Sequence, residues 1–200
     1  MKNGWYHNGI KSGLALLFSL LLIQCTGEQE TPANRYFDIQ ELMDQQVAEL
    51  KLQRTELTKM LKIDGESESN TAKLLDSIQW ENEFRIFREH DINKPVLFDA
   101  YIEEQYSTEK GNRRWNYILE DSTKSGILTM VVDFNQSGDV INWSSKFREE
   151  NVLYANLRDV SINFDKSGQR ITDYSINGYH KLMFKDTVFY QLQAVINYEE

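Results

Sequence analysis

The chain has 200 residues, 40% apolar, 26% charged and 12% aromatic, with only two prolines, which describes one globular domain and not a disordered chain. A single cysteine allows no internal disulfide, so the fold must stand on packing. The net charge of −9 excludes nucleic acid as a partner, because phosphate backbones are bound by clustered cations, and it disfavours electrostatic docking on anionic headgroups.

The first 24 residues differ from the rest. Lys2, His7 and Lys11 form a basic region without any acid, and Leu14 to Ile23 form an apolar run of ten residues. A membrane-spanning helix needs roughly 20. Short apolar runs behind a basic leader are secretory signals, not fold elements. This one ends in Leu22, Ile23, Gln24 and Cys25. The arrangement resembles the signal of bacterial lipoproteins, whose lipobox runs Leu, a medium residue, a small residue, then Cys. Leu22 and Ile23 match it; Gln24 stands where Gly, Ala or Ser is usual.

The resemblance implies that residues 1–24 are removed and that Cys25 becomes an acylated N-terminus, carrying a diacylglycerol on sulfur and an acyl chain such as palmitate on its amine. Two or more chains anchor stably, at ~0.8 kcal/mol per buried CH₂. Thr26 stands where many such proteins carry the Asp that keeps them in the inner membrane. The implied address is therefore the outer membrane, with the domain facing the periplasm or, given Glu28 and Glu30, the cell surface.

Residues 25–35 read as a polar tether, about 33 Å long if fully extended. From Phe37 to Ile63 the apolar residues Met43, Val47, Leu50, Leu57 and Leu61 recur at helical spacing. Asp38 is the expected N-cap, and Asp64-Gly65 the stop. A second helix is expected from Thr71 to His90. Leu74, Leu75, Ile78 and Ile86 fall on one side of it, and Trp80, Phe84 and Phe87 on another, which predicts a helix sandwiched between the first helix and a sheet. Asp91 to Pro95 ends it.

The remainder alternates with period two between turns, the pattern of antiparallel strands with one buried face. Seven strands are expected: Leu97–Tyr106, Arg114–Glu120, Ile127–Phe134, Val140–Arg148, Val152–Phe164, Gln169–Phe184 and Thr187–Tyr198. Asn135 to Asp139 and Asp165 to Gly168 read as hairpin loops, and Asn177-Gly178 as a bulge inside one long strand. The expected fold is α+β, with two N-terminal helices packed on a curved antiparallel meander, forming a single domain over 36–200.

Few groups point to chemistry. His90 and His180 reads as a helix-end and a strand residue, without metal-ligand spacing. Asp133, Asn135, Ser137, Gly138 and Asp139 resemble the first half of a calcium loop, but Ser144 occupies the place of the bidentate Glu, and a hairpin turn is the better reading. Glu103-Glu104 and Glu149-Glu150 are strand neighbours that point to opposite faces. No nucleophile-elbow, dinucleotide or phosphate-loop motif occurs, and no cofactor is implied.

The leading expectation is a non-enzymatic, membrane-anchored domain with an envelope binding or scaffolding role and an envelope protein partner. A second reading is a carrier whose sheet, lined by Trp115, Tyr117, Trp143, Phe164 and Tyr190, holds a lipid or other hydrophobic ligand. It resembles the half-barrel lipoprotein carriers of the outer-membrane sorting pathway in architecture alone. A third is a hydrolase using His90, His180 or carboxylates.

Overall fold

Leu57 and Leu61 are four residues apart, a spacing that keeps two side chains on one face of a helix and equally on one face of a strand. In the computed structural model they belong to a strand. The first helix, α1, is Ile39–Leu50; Thr55–Ile63 is strand β1, and Glu66–Lys73 is strand β2. The helix expected over Phe37 to Ile63 is therefore half helix and half strand. Asp64 and Gly65 do not stop a helix. Both have positive φ, 47° and 96°, the two-residue turn of a tight hairpin.

The described residues are 34–73, 76–108, 111–121 and 123–199, and those from Asn34 onward form one compact unit. The second helix, α2, is Ser77–Arg88, shorter at its start than the expected Thr71 to His90 because β2 takes the first residues. Asp76 caps it, accepting from Gln79 N–H while the Gln79 side chain accepts from Asp76 N–H, a reciprocal capping box. A 3₁₀ turn at Pro95–Leu97 follows.

All seven expected strands exist: β3 Tyr101–Ser107, β4 Arg113–Leu119, β5 Gly126–Phe134, β6 Val140–Glu150, β7 Tyr154–Phe164, β8 Ile171–Leu182 and β9 Val188–Tyr198. The class is α+β with an antiparallel sheet, but the sheet has nine strands in the order β2-β1-β9-β8-β7-β6-β5-β4-β3. The helices are not an N-terminal pair, since the β1–β2 hairpin lies between them. That hairpin joins the C-terminal strand, with Thr55 opposite Tyr198 and Ile63 opposite Tyr190. The edge strand β2, reading ESESNTAK, is polar, which discourages edge-to-edge pairing.

One face of the sheet carries the core. Ala194, Tyr174, Ile162, Trp143 and Val132 form one cross-strand row, and Leu192, Ile176, Val160, Ser145, Met130 and Tyr117 the next. Trp80, Phe84 and Phe87 of α2 are fully buried on this face. Phe87 meets Trp143 and Tyr174 edge-on, with ring centroids 6.1 and 5.4 Å apart. Each such side chain contributes about 1.5–3 kcal/mol by leaving water. The other face of α2 is only partly covered: Ile86 packs against the core, whereas Ile78 is exposed. The expected sandwich is thus one-sided at its first turn.

Polar bonds fix α1 and α2 on the sheet. Gln46 of α1 is buried; its amide donates to the Gln169 carbonyl and its oxygen accepts from Ile171 N–H. Arg88 of α2 pairs with Asp44 of α1 at 2.7 Å and donates to the Gln40 carbonyl. Glu83 of α2 accepts from Lys59 of β1 at 2.9 Å and from the Tyr174 hydroxyl of β8.

Asn177-Gly178 is neither a turn nor a bulge. β8 is continuous there, and Gly178 stands in register between Arg158 and Tyr190. A side chain on Gly178 would run into the Leu157 carbonyl and the Tyr190 ring, so the glycine allows a close approach. The register shifts fall elsewhere, between Ile127 and Thr129 and beside the two phenylalanines Phe134 and Phe164. These phenylalanines begin two copies of one pattern thirty residues apart, Phe134-Asn135-Gln136-Ser137-Gly138 and Phe164-Asp165-Lys166-Ser167-Gly168. Both end in a glycine at positive φ and both are hairpin turns. They lie side by side, with the Asn135 amide donating to the Lys166 carbonyl.

Candidate functional site

The lipobox residues Leu22, Ile23 and Gln24, and the lipidation residue Cys25, lie outside the described residues. So do Lys2, His7, Lys11, Thr26, Glu28 and Glu30 of the leader and tether, and Leu74 and Leu75 of the expected second helix. The candidate residues from His90 onward lie within the described part.

His90 and His180 are not brought together. His90 contacts Ser145, which is in register with Val160 and Ile176, four residues along β8 from His180. His180 is exposed and stacks on Tyr154. His90 is buried between α2 and the sheet, with its ring near Trp143 and Phe147. The Ser145 hydroxyl donates its one proton to the Thr129 carbonyl, 2.9 Å away, so it accepts from His90 Nδ1–H, also at 2.9 Å. This assigns the neutral Nδ1–H tautomer. Burial, with Arg158 and Lys94 adding to it, lowers the His90 pKa to about 3. The Nε2 atom is buried and accepts no bond from the described residues.

The calcium-loop residues form a hairpin turn. Asp133 is held by Arg114 through two bonds of 2.6 and 2.8 Å, and Asn135 and Asp139 bond to each other. Among the described residues, no group of three or more His, Cys, Asp or Glu side chains is placed to hold a metal. Glu104 accepts from the Tyr106 hydroxyl and Glu149 from the Tyr154 hydroxyl.

The aromatic lining offered for a hydrophobic ligand is largely taken up by the protein itself. Trp143 packs on Phe87, Tyr117 on Tyr36, and Trp115 on Phe134 at 4.7 Å between ring centroids. Tyr190 lies over Gly178.

The feature that sequence reading did not raise is the other face of the sheet. In cross-strand order it carries Arg114, Asp133, Asn142, Asn163, Asp173 and Val195 in one row. The next row is Asn116, Val131, Ser144, Ser161, Ser175 and Gln193, and the next is Ile118, Thr129, Lys146, Asp159, Asn177 and Gln191. The side chains are linked across strands. Asn142 donates to Asn163 at 2.8 Å, and Asn163 to Asp173 at 2.7 Å. The Ser161 and Ser175 hydroxyls share a hydrogen bond of 2.9 Å. Lys146 and Asp159 stand 3.4 Å apart.

Short side chains leave open depressions on this face. One of about 290 Å³ is lined by Ser144, Lys146, Asp159, Ser161, Ser175 and Asn177. Another of about 630 Å³ lies beside it, over Asn163, Asp173, Ser175, Gln193 and Asn197. Asn177 Oδ1 and Asn116 Oδ1 are buried and accept no bond from the described residues. The face offers fixed amide, hydroxyl and carboxylate groups in a regular array, suited to hydrogen bonding with a polar partner. The signal was present in the sequence as the polar half of each alternation, which reads at that level as mere solvation.

No family model, no curated protein and no solved structure matches this chain.

Proposed function

We propose that this chain is a non-enzymatic lipoprotein of the bacterial outer membrane, anchored through acylated Cys25, whose sheet binds an envelope partner through its polar face. The leader supports the anchor and the address. One structural observation supports the binding role: one face of the sheet is closed by α1 and α2, while the other presents mostly polar rows, with short hydrogen-bonded side chains at their centre around two depressions. Here serine, asparagine and aspartate keep the backbone approachable. Buried and neutral, His90 is a structural group in this reading and not an acid or base.

The binding role is tested by photocrosslinking in cells. A benzophenone amino acid replaces Gln193, which is exposed on the polar face, or Leu52, which is 84% exposed beyond α1. Light-dependent adducts with an envelope component are expected from position 193 and not from position 52. Equal adducts at both positions, or none at 193, contradict the reading.

A further inference from the structure

Four large apolar side chains stand in water on two loops at one end of the sheet. Val152 and Leu153, between β6 and β7, are 85% and 65% exposed; Met183 and Phe184, between β8 and β9, are 44% and 93% exposed. Leu182, Val188 and Phe189 continue the patch along the strands. The loops are joined, since Met183 N–H donates to the Leu153 carbonyl at 2.7 Å. The residues therefore form one knob. Scattered exposed apolar side chains need no explanation, but a contiguous set marks an interaction surface.

Phe184 carries a second signal. Its φ is +66°, in the left-handed region where glycine or asparagine is the ordinary choice. A bulky residue is strained there. Phe184 is also the most exposed of the large apolar residues, so packing within the fold does not account for it.

The path of the chain suggests what covers the knob. Arg35 pairs with Asp99 at 2.7 Å, and the Tyr36 hydroxyl meets Tyr101 N–H at the first residue of β3. The start of β3 pairs with the end of β4, and in the antiparallel order that end of the sheet is also where β6 and β8 finish and β7 and β9 begin. The chain thus joins the domain at the end that bears the knob. Five strand spacings separate β3 from β8, about 24 Å. The residues between Cys25 and Asn34 reach at most about 33 Å. A bilayer holding Cys25 is within reach of the knob.

Charge does not do the work. Lys181 and Lys185 flank the knob, but Glu149, Glu150 and Asp186 stand beside them, and the chain carries a net charge of −9. The attraction is apolar.

We propose that the knob of Val152, Leu153, Met183 and Phe184 inserts into the interface of the bilayer that holds Cys25. It is a second attachment that fixes the domain's orientation on the membrane. The proposal rests on the lipoprotein reading above.

A dansylated amino acid placed at position 184, or in a second full-length chain at position 167, reports the contact. Ser167 lies in the β7–β8 turn, at the opposite end of the sheet. Each chain is isolated from membranes and reconstituted into phosphatidylcholine vesicles containing doxyl-labelled lipid. Emission at position 184 should fall about twofold or more, with no change at 167 and no dependence on salt, as apolar insertion requires. If the chain floats with vesicles and neither position is quenched, the knob proposal falls and the anchor stands. If position 184 becomes shielded without vesicles as protein concentration rises, a second copy covers the knob and the proposal falls. If position 184 is quenched in a chain that takes up no palmitate, the anchor reading falls and the knob stands.

Discussion

Replacing Phe87 with alanine is expected to destabilise the fold by about 3–5 kcal/mol, the usual cost of removing a buried aromatic ring and leaving its cavity. Phe87 is fully buried and touches the rings of Phe84, Trp143 and Tyr174, so the groups around the hole belong to both α2 and the sheet and cannot close over it independently. Urea unfolding checks it. With a slope of about 2 kcal/mol per molar, the midpoint should fall by about 2 M. Ile78→Ala, on the exposed side of the same helix, should cost less than about 0.5 kcal/mol. The comparison also separates two functions. A Phe87→Ala cost below about 1 kcal/mol would mean that α2 is loosely held on the sheet, as a carrier that opens for a hydrophobic ligand requires.

Acid should weaken the protein through His90 well above the pH at which ordinary carboxylates titrate. His90 is neutral when folded, with its pKa lowered to about 3, and in the unfolded chain it takes up a proton near 6.5. Below 6.5 the unfolded state binds the extra proton, so stability falls as pH falls. The contribution is complete above about pH 6.5 and is lost progressively towards pH 3. Between pH 6.5 and 4.5 the loss from this group alone is roughly 2 kcal/mol. The Asp121 and Asp165 carboxyls are also held below their ordinary pKa by hydrogen bonds, Asp121 chiefly by the Thr123 hydroxyl and Asp165 by Ser167 and the turn's N–H groups against the opposing pull of burial. Their losses fall mainly at lower pH. His90→Asn isolates the histidine, because its amide nitrogen occupies nearly the place of Nδ1 and does not titrate. The variant should be less stable at pH 7.5 through lost packing, but the stability difference from the parent should shrink by roughly 3 kcal/mol by pH 4.5. A difference that stays constant with pH would show that His90 takes up its proton in the fold as readily as in the unfolded chain.

The seven later strands were legible because each buries one face and wets the other. Val188, Tyr190, Leu192, Ala194, Ile196 and Tyr198 alternate without interruption, and β9 is found where that alternation lies. The first hairpin was not legible by the same rule. Glu66–Lys73 carries a single apolar side chain, Ala72, because an edge strand outside the helix-covered region has no core to face. Its partner β1 has Leu57 and Leu61 at a spacing common to both periods. The deciding signal was Asp64-Gly65, a dipeptide that suits a tight hairpin turn as well as a helix end. Reading it as a cap turned two strands into a longer helix and hid the pairing of β1 with the C-terminal strand.

The candidate surfaces were less legible than the fold. Ser144, Ser161 and Ser175 are far apart in sequence, and only the register of β6, β7 and β8 sets them in one row. Val152, Leu153, Met183 and Phe184 fall inside the expected strands Val152–Phe164 and Gln169–Phe184 in the sequence pattern. They lie instead beyond the last paired residues or at their ends, where no helix covers them. The anchor is the reverse case. Its signal is the chemistry of four consecutive residues, Leu22 to Cys25, and needs no fold to be read.

The most direct measurement is the intact mass of the mature protein extracted from bacterial membranes, with Cys25→Ala beside it. The account predicts a chain that begins at Cys25 and carries the added mass of a diacylglycerol and one amide-linked acyl chain, while Cys25→Ala loses that mass and its place in the outer-membrane fraction. An unmodified chain cleaved at any other bond, or a Cys25→Ala protein that keeps its lipid, would contradict it.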